Sequence, residues 1–470
     1  MNLPDSIQSF LDRQRLPYRL IAYPPNQTME QTRQKLAISA RQTVRTVLLQ
    51  AADGLLMAVL PYSHILDFAM LCQLWGSELQ PLHGADAANF FQTHGCKSHS
   101  RPPLATLFNV PILVDSSLMY EDEIYFESGA GDTLVQMEGR DFGKLLAQAR
   151  WGQFAIPSEN LDFHLTKQVS AQNLTGLTNR YTPLKSAALE HIVELPDVSP
   201  AVLEMLALRT NLELSTDDII KLAERNANWA ARLVYWARVP LHGFRGTVDS
   251  LETAIENVLP PHNALALLLG SSMAEQFHVP IEGAVGLQSI WRHSVYCAAL
   301  VGELVKNLPQ PLCVNPSLAY LGGLLHDFGY LVLGHALPAQ FFLLNRFLDV
   351  NRHVPINDVE RYVMGVEHWQ IGAWLMQSWN LPEEVIAATR WHHSEDSTQL
   401  HAEYSNLVLI ANRLLHYFGL GEEHNNRLPA LAMFMLGITR EQAMAAVGQV
   451  HACTAELDNL CAVLPVADET

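Results

Sequence analysis

Hydrophobic and polar positions follow two different rhythms along this chain. Up to about residue 150, short helical stretches at 5–16 and 28–36 precede strand-like apolar runs at 43–49, 55–60, 111–114, 124–126 and 133–137. Asp53-Gly54 between two of those runs is a hairpin signal. The pattern predicts a small mixed α/β domain with an antiparallel component. Residues 151–190, with AIPSEN and SAQNLTGLTNRYTP, keep no steady period and read as a linker.

From His191 the period is helical nearly throughout. Ser199-Pro200 caps a helix running to Arg209, and the stretch from Ser215 to Asp218 is a capping box. Amphipathic helices are expected at 229–237, 250–259, 288–308, 340–350, 359–379, 382–393 and 404–418, with more helix up to about Val463. The stretch 263–277 is very apolar, and its charge-poor part 263–272 suits either core or an interface. Asn315 and Pro316 start a further helix, and Leu318, Leu321, Leu325, Leu331 and Val332 carry its rhythm to 333. The expected fold class is α+β multidomain: 1–150 mixed, 151–190 linker, 191–400 helical, and 401–470 a helical extension.

The pair His326-Asp327 falls inside that greasy 315–333 helix, where adjacent side chains about 100° apart can converge on one ion at the helix flank. A carboxylate that deep is costly unless paired or metallated. His293, His368, His392 and His393 lie on helices that could face the pair. Imidazole and carboxylate are the ligand set of Fe, Mn, Ni or Zn, and helical bundles assemble such sites from facing helices. A buried hydrogen-bond network without an ion uses the same residues, so both readings stand.

Composition narrows the function classes. A chain of 470 residues exceeds one core, and two or three domains are expected. No uninterrupted apolar run reaches the ~18 residues of a membrane span, and MNLPDSIQSFLDRQ has no secretory pattern, so a cytoplasmic protein without a membrane partner is expected. The net charge of −18 is uneven: residues 1–150 hold 12 Lys and Arg against 15 Asp and Glu, and the rest hold 18 against 33. The larger, acidic part repels nucleic acid. The near-neutral first part neither suggests nor excludes such contact, and tRNA is not expected as a partner. The six cysteines (Cys72, Cys96, Cys297, Cys313, Cys453 and Cys461) form no CxxC, which disfavours a zinc-thiolate site.

Two family resemblances follow from these residues. YRLIAYPP, RQTVRTVLLQAADG, HGCKSHSRPP and GAGDTLVQM, in that order over most of 1–150, resemble the YbaK/prolyl-tRNA-editing family, which deacylates mischarged tRNA. The resemblance makes Arg45, Gly95, Gly129 and Gly131 the pocket candidates. It also marks two departures: Arg45 stands where the family has a catalytic lysine, and His99 where it has a loop glycine. Arg for Lys keeps the charge but changes geometry and hydration, so the fold is expected without deacylase activity. The three glycines serve equally as turn residues.

The order His293, His326-Asp327, His368, His392-His393 resembles HD-domain phosphohydrolases with a binuclear site. ELPDVSPAVLEML, ERNANWAARLVYWAR, TVDSLETAIENVL, WRHS, GGLLHDFGYLVL and EHWQIGAWLMQSWNLPEEVIAATRWHH make roughly 191–395 look like the HDOD domain, a helical signalling relative. The resemblance implies one metal held by His293, His326 and Asp327, and a second sharing Asp327 with His368, His392 and His393. Asn412 stands where the HD set ends in an aspartate and could serve as a weak ligand. Tyr330 stands where a phosphate-binding lysine often follows, SEDSTQ after His393 lacks the GYP element of cyclic di-GMP hydrolases, and Arg238-Val239 replaces the Asn-Ser of the HDOD pattern.

The resulting expectation is a bacterial signal-transduction or scaffold protein without catalytic turnover, with protein partners and a possible one- or two-ion metal site. One alternative is an HD-type metal-dependent phosphohydrolase with a nucleotide second messenger as ligand. Another is an aminoacyl-tRNA deacylase acting through the first domain.

Overall fold

In the computed structural model, residues 3–24, 29–82, 84–97, 100–160, 199–209, 214–239, 246–309, 312, 314–395, 397–421 and 427–463 are described. They form two compact units. The first gathers the described residues up to 160 with Arg346–Tyr362, and the second gathers 199–345 with the described residues from Val363 onward.

In the first unit, α1 (Asp5–Gln14) buries Ile7 and Leu11, four residues apart on one face, against the core. β1 (Arg19–Ala22) and α2 (Met29–Leu36) follow. β2 (Val44–Ala51) and β3 (Gly54–Pro61) make the expected hairpin, with Val44 opposite Pro61 and Ala51 opposite Gly54. Gly54 takes φ +131°, a region side-chain-bearing residues rarely enter, and so closes the turn. Then come β4 (His64–Leu66), α3 (Phe68–Trp75), β5 (Gln80–Pro81), α4 (Gly84–Thr93), α5 (Ala105–Phe108), β6 (Ile112–Asp115), β7 (Glu123–Glu127), β8 (Thr133–Glu138), α6 (Gly139–Leu145), β9 (Arg150–Gly152) and β10 (Ala155–Pro157).

The main sheet has the order β5-β2-β3-β6-β9, antiparallel from β5 to β3 and parallel from β3 to β9. β1, β8 and β7 form a second, antiparallel sheet, and β4 pairs with β10. The expected mixed α/β character is present. β9 and β10 run into the stretch expected to be an irregular linker. They are three residues each, too short for a period to show, and are held by partners distant in sequence: Val114 opposite Trp151, and Ile65 opposite Ile156. The rest of that stretch, 161–190, lies outside the described residues, as does His99.

The later helices are α7 (Pro200–Arg209), α8 (Thr216–Ala223), α9 (Ala227–Ala237), α10 (Leu251–Asn257), α11 (Pro261–Ala274), α12 (Leu287–Val305), α13 (Pro316–Leu325), α14 (Gly329–Ala336), α15 (Pro338–Val350), α16 (Ile356–Met364), α17 (His368–Ser378), α18 (Glu383–Trp391), α19 (Ala402–Leu414), α20 (Ala430–Leu436), α21 (Arg440–His451) and α22 (Thr454–Val463). The capping box at α8 is present, with Ser215 and Asp218 each bonded to the other's backbone N–H. Every residue of α11 from Ala264 to Ala274 is buried, so that apolar stretch is core.

Two expected helices are each broken in two, and both breaks shape the site. The 315–333 stretch ends its first helix at Leu325 and restarts at Gly329, leaving His326 and Asp327 in the turn rather than inside a helix. The 359–379 stretch breaks at Gly365, φ +72°, so that His368 opens α17. The C-terminal helices pack into the same unit: α19 lies against α12 and α18, and α21 and α22 lie against α12. Asp458 on α22 takes hydrogen bonds from Arg292 Nε (2.9 Å) and the Tyr296 hydroxyl (2.8 Å) on α12.

Candidate metal centre

The candidate ligands are delivered mostly by helix ends. α13 terminates on His326, whose ring Nδ1 donates to the carbonyl of Gly323 at 2.9 Å, satisfying one of the acceptors that a helix C-terminus leaves open. α18 terminates the same way on His392, whose Nδ1 donates to the Thr389 carbonyl at 2.7 Å. His293 comes from the body of α12, against which α13 packs closely. A Cβ at Gly323 would lie 3.0 Å from the Ala298 Cα. His368 comes from the first turn of α17, fixed by the reciprocal Glu367–Gln370 capping box. The start of α14 touches that turn: a Cβ on Gly329 would lie 1.9 Å from the His368 carbonyl oxygen, so only glycine fits.

Six side chains meet at this point, in two trios bridged by one carboxylate. His293 Nε2 lies 3.2 Å from His326 Nε2 and 3.3 Å from Asp327 Oδ2, and His326 Nε2 lies 3.3 Å from Asp327 Oδ1. In the second trio His368 Nε2 lies 3.1 Å from His392 Nε2 and 3.2 Å from His393 Nε2. Asp327 Oδ1 reaches across, 3.3 Å from His368 Nε2 and 3.5 Å from His392 Nε2. His326, His368 and His392 are fully or almost fully buried.

Burial is the main reason His326 is pushed down to about 4, and neighbouring imidazoles push the same way. His392 and His393 fall well below the usual histidine range, again chiefly through burial, and then through the proximity of His326 to the first and of His392 to the second. Burial alone would raise the Asp327 carboxyl, but the ring of imidazoles outweighs it and holds the group well below the usual carboxylate range. Near neutral pH His326, His392 and His393 are therefore neutral rings beside one anion, Asp327.

Two contacts of the site, those of His326 and His392 Nε2 with Asp327 Oδ1, are self-repelling without a cation. With Nδ1 of His326 and His392 donating to carbonyls, the neutral ring must carry a bare lone pair on Nε2. Those lone pairs face the Nε2 atoms of His293 and His368, and each also faces the Asp327 carboxylate oxygen Oδ1. Nitrogens bound at about 2.0–2.1 Å to one first-row ion stand ~3.0–3.4 Å apart in octahedral or tetrahedral geometry. The separations within each trio, 3.1–3.3 Å, fall in that range. The clusters His293–His326–Asp327 and His368–His392–His393 thus fit a divalent transition metal. The backbone carbonyls behind His326 and His392 orient the rings as second partners of metal-bound histidines do.

The model of the HDOD domain matches residues 195–395, and that of the aminoacyl-tRNA editing domain matches 23–145. The chain joins an aminoacyl-tRNA editing domain to an HDOD domain. A crystal structure of a proposed signal transduction protein from Marinobacter aquaeolei VT8 is similar over 98% of this chain and all of that one, at 24% identity and TM-score 0.79, and shares its fold. An HDOD domain protein of unknown function from Geobacter sulfurreducens is similar over 60% of this chain and 96% of its own, at 19% identity and TM-score 0.48. An uncharacterized protein of Treponema pallidum (strain Nichols) is 22% identical over 289 residues, 61% of this chain. The chain spans about 55% of that relative's length.

The other candidates sort by position. Tyr330 of the HDOD domain is buried and stacks its ring on His368, with centroids 4.4 Å apart and planes at 16°. It therefore braces a candidate ligand instead of offering a cation to phosphate. Asn412 sits on α19, and no hydrogen bond joins it to the six side chains. Its Oδ1 is a buried oxygen without a hydrogen-bond partner among the described residues. Arg238 donates to the Val248 carbonyl at 2.7 Å, tying the end of α9 to the segment before α10.

In the editing domain, Gly95, Gly129 and Gly131 take φ of +86°, +87° and +80° and serve as turn glycines around residues 95–100. Gly129 accepts from Lys97 N at 2.8 Å and donates to Ser100 Oγ at 2.9 Å. The bonds of Arg45 go elsewhere: Nη1 donates to the Val350 carbonyl at 2.5 Å, and Nη2 to the His64 carbonyl at 3.1 Å and to Asn351 Oδ1 at 2.7 Å. Sequence reasoning missed Asn351 altogether. It lies some three hundred residues from Arg45, in a stretch with no motif. Among the described residues, no helix is long and apolar enough to cross a membrane.

Proposed function

We propose that the HDOD domain is a regulatory module without turnover, holding one or two Fe, Mn, Ni or Zn ions between His293, His326, Asp327, His368, His392 and His393. The chain would then act in bacterial signal transduction through protein partners. The crowding of unprotonated Nε2 atoms around the Asp327 carboxylate carries the metal reading. Removing the ion would leave the His326 and His392 lone pairs facing the Asp327 carboxylate in a buried site, where unpaired polar groups are most costly. The HDOD match and the shared fold with a proposed signal transduction protein support the regulatory reading.

The test is metal content by mass spectrometry on protein purified without a histidine tag or added metal, beside the double variant His326→Ala/Asp327→Ala. Near-stoichiometric transition metal in the wild type and loss in the variant is the expected result. A well-folded wild type that takes up no metal, even after soaking, would leave the six side chains as a purely structural cluster.

The bridging position of Asp327 favours one second reading, an HD-type phosphohydrolase acting on a nucleotide second messenger. A bound ion pair would supply a water of lowered pKa and a clamp for phosphate oxygens. Tyr330 against His368, in place of a cation, weighs against this reading. Hydrolysis of bis-p-nitrophenyl phosphate by metal-loaded protein, abolished by Asp327→Ala, would establish it over the scaffold.

A further inference from the structure

The packing of the first unit contains a segment that the sequence places far away. Arg346–Tyr362 lies inside the HDOD match in sequence, yet it is part of the unit built by the editing domain. Its centre is Asn351, fully buried, whose side-chain amide is used on both sides. Oδ1 accepts from Arg45 Nη2 and from the Leu66 backbone N–H at 2.9 Å, and Nδ2 donates to the Leu66 carbonyl at 3.4 Å. Leu66 sits at the end of β4, and the Asn351 amide supplies both groups that a neighbouring backbone would.

The flanks of the segment are held too. Phe347 packs edge-on against Phe68, with centroids 6.0 Å apart, and His353 lies 4.7 Å from the Tyr62 ring. Tyr362 donates its hydroxyl to Asp67 Oδ2 at 3.0 Å, and Arg346 donates to the Leu79 carbonyl. The Arg45 guanidinium, pushed down to about 9 by burial, stays charged at neutral pH and is held by three acceptors, two of them from this segment.

From this geometry we propose that Arg346–Tyr362 is an in-chain occupant of the Arg45 site, closing it to any external ligand. The socket consists of the Arg45 guanidinium with the N–H and carbonyl of Leu66, and it reads a carboxamide flanked by a peptide carbonyl. Asn351 and Val350 supply those two groups. Arg45 is thus an anchor for the chain's own segment, and the editing domain acts as a receptor in cis. This inference concerns the first unit and does not depend on the metal reading.

Arginine-specific labelling of the full chain with phenylglyoxal, mapped by mass spectrometry, tests it. In the wild type, Arg45 is expected to label far more slowly than the exposed Arg13. In Asn351→Ala, Arg45 labelling should rise at least about ten-fold, the factor that loss of one hydrogen bond to a charged group carries in an opening equilibrium. Tyr362→Phe, which removes a single flanking bond, should produce a smaller rise in the same direction. Arg33, in the same unit and bonded to Glu30 and the Ile38 carbonyl, should keep its wild-type rate throughout. Three results would overturn the proposal: Arg45 labelling at the Arg13 rate in the wild type, no change in either variant, or Arg33 and Arg45 rising together. The last would make the segment an inseparable part of the core instead of an occupant.

Discussion

His326 and His392 end two neighbouring helices in the same way. Each ring returns its Nδ1–H to a carbonyl three residues back and turns its Nε2 toward Asp327 Oδ1, at 3.3 and 3.5 Å. The rings meet edge to face with centroids 4.8 Å apart, and the helices behind them touch where a Cβ on Gly322 would lie 2.8 Å from the Ala388 Cβ. The centre is therefore fixed by where two helices stop. Ligand placement inherits the rigidity of their packing.

Asp327 is the one candidate ligand within reach of both trios, so its charge should matter more than any single imidazole. Asp327→Asn keeps the shape and removes the anion. Bound metal is expected to fall by about ten-fold or more, since loss of even outer partners of metal ligands costs 10–100-fold in affinity. Circular dichroism should stay at wild type. Unchanged metal content in this variant, measured by mass spectrometry after dialysis, would remove Asp327 from the site.

Gly329→Ala tests the close approach of α14 to α17. The added Cβ would sit 1.9 Å from the His368 carbonyl, and both atoms belong to backbone, so the helices have to separate. Overpacking of this kind costs about 1–3 kcal/mol or more. The variant should melt several degrees lower in calorimetry and lose metal through displacement of His368. A wild-type melt would mean that the contact relaxes at little cost.

Much of the architecture was legible in the periodicity. The β2–β3 hairpin was marked by Asp53-Gly54 between two apolar runs, and α8 and α11 by a capping box and an unbroken apolar stretch. Six of the seven metal candidates meet, Asn412 being the exception, because helical spacing and the order of the histidines carried that information. The helix breaks did not show. Apolar residues flank 326–328 at helical spacing on both sides, and the three are buried whether helical or not, while the Gly365 break lies in an otherwise amphipathic run. Asn351 was invisible for a different reason: its partners, Arg45 and Leu66, are set by tertiary packing at very long range, which leaves no local pattern.

Chelation should destabilise the HDOD domain specifically. A ligand held at a hundred times its Kd stabilises the folded state by about 2.7 kcal/mol, and its removal should lower Tm by roughly 5–10 °C for a unit of this size. Differential scanning calorimetry with and without EDTA measures the shift. The same comparison on Asp327→Asn should show almost none, and an equal shift in both proteins would place the chelated ion elsewhere.

Acid should weaken the metal-stripped protein well above the range of ordinary carboxylates. The folded protein holds His326 at about 4 against 6.5 for a free imidazole, chiefly through burial. Between those values the unfolded chain binds a proton that the folded one refuses, so stability falls as pH drops from about 6.5 toward 4. The full contribution of this one ring is of order 3 kcal/mol, and His392 and His393 act in the same direction. Urea midpoints in EDTA should therefore decline steadily from pH 7 to pH 4.5. In His326→Leu, which has no ring to protonate, the decline should be visibly shallower. A pH-independent midpoint in the stripped wild type would mean that these imidazoles are not buried in their neutral form.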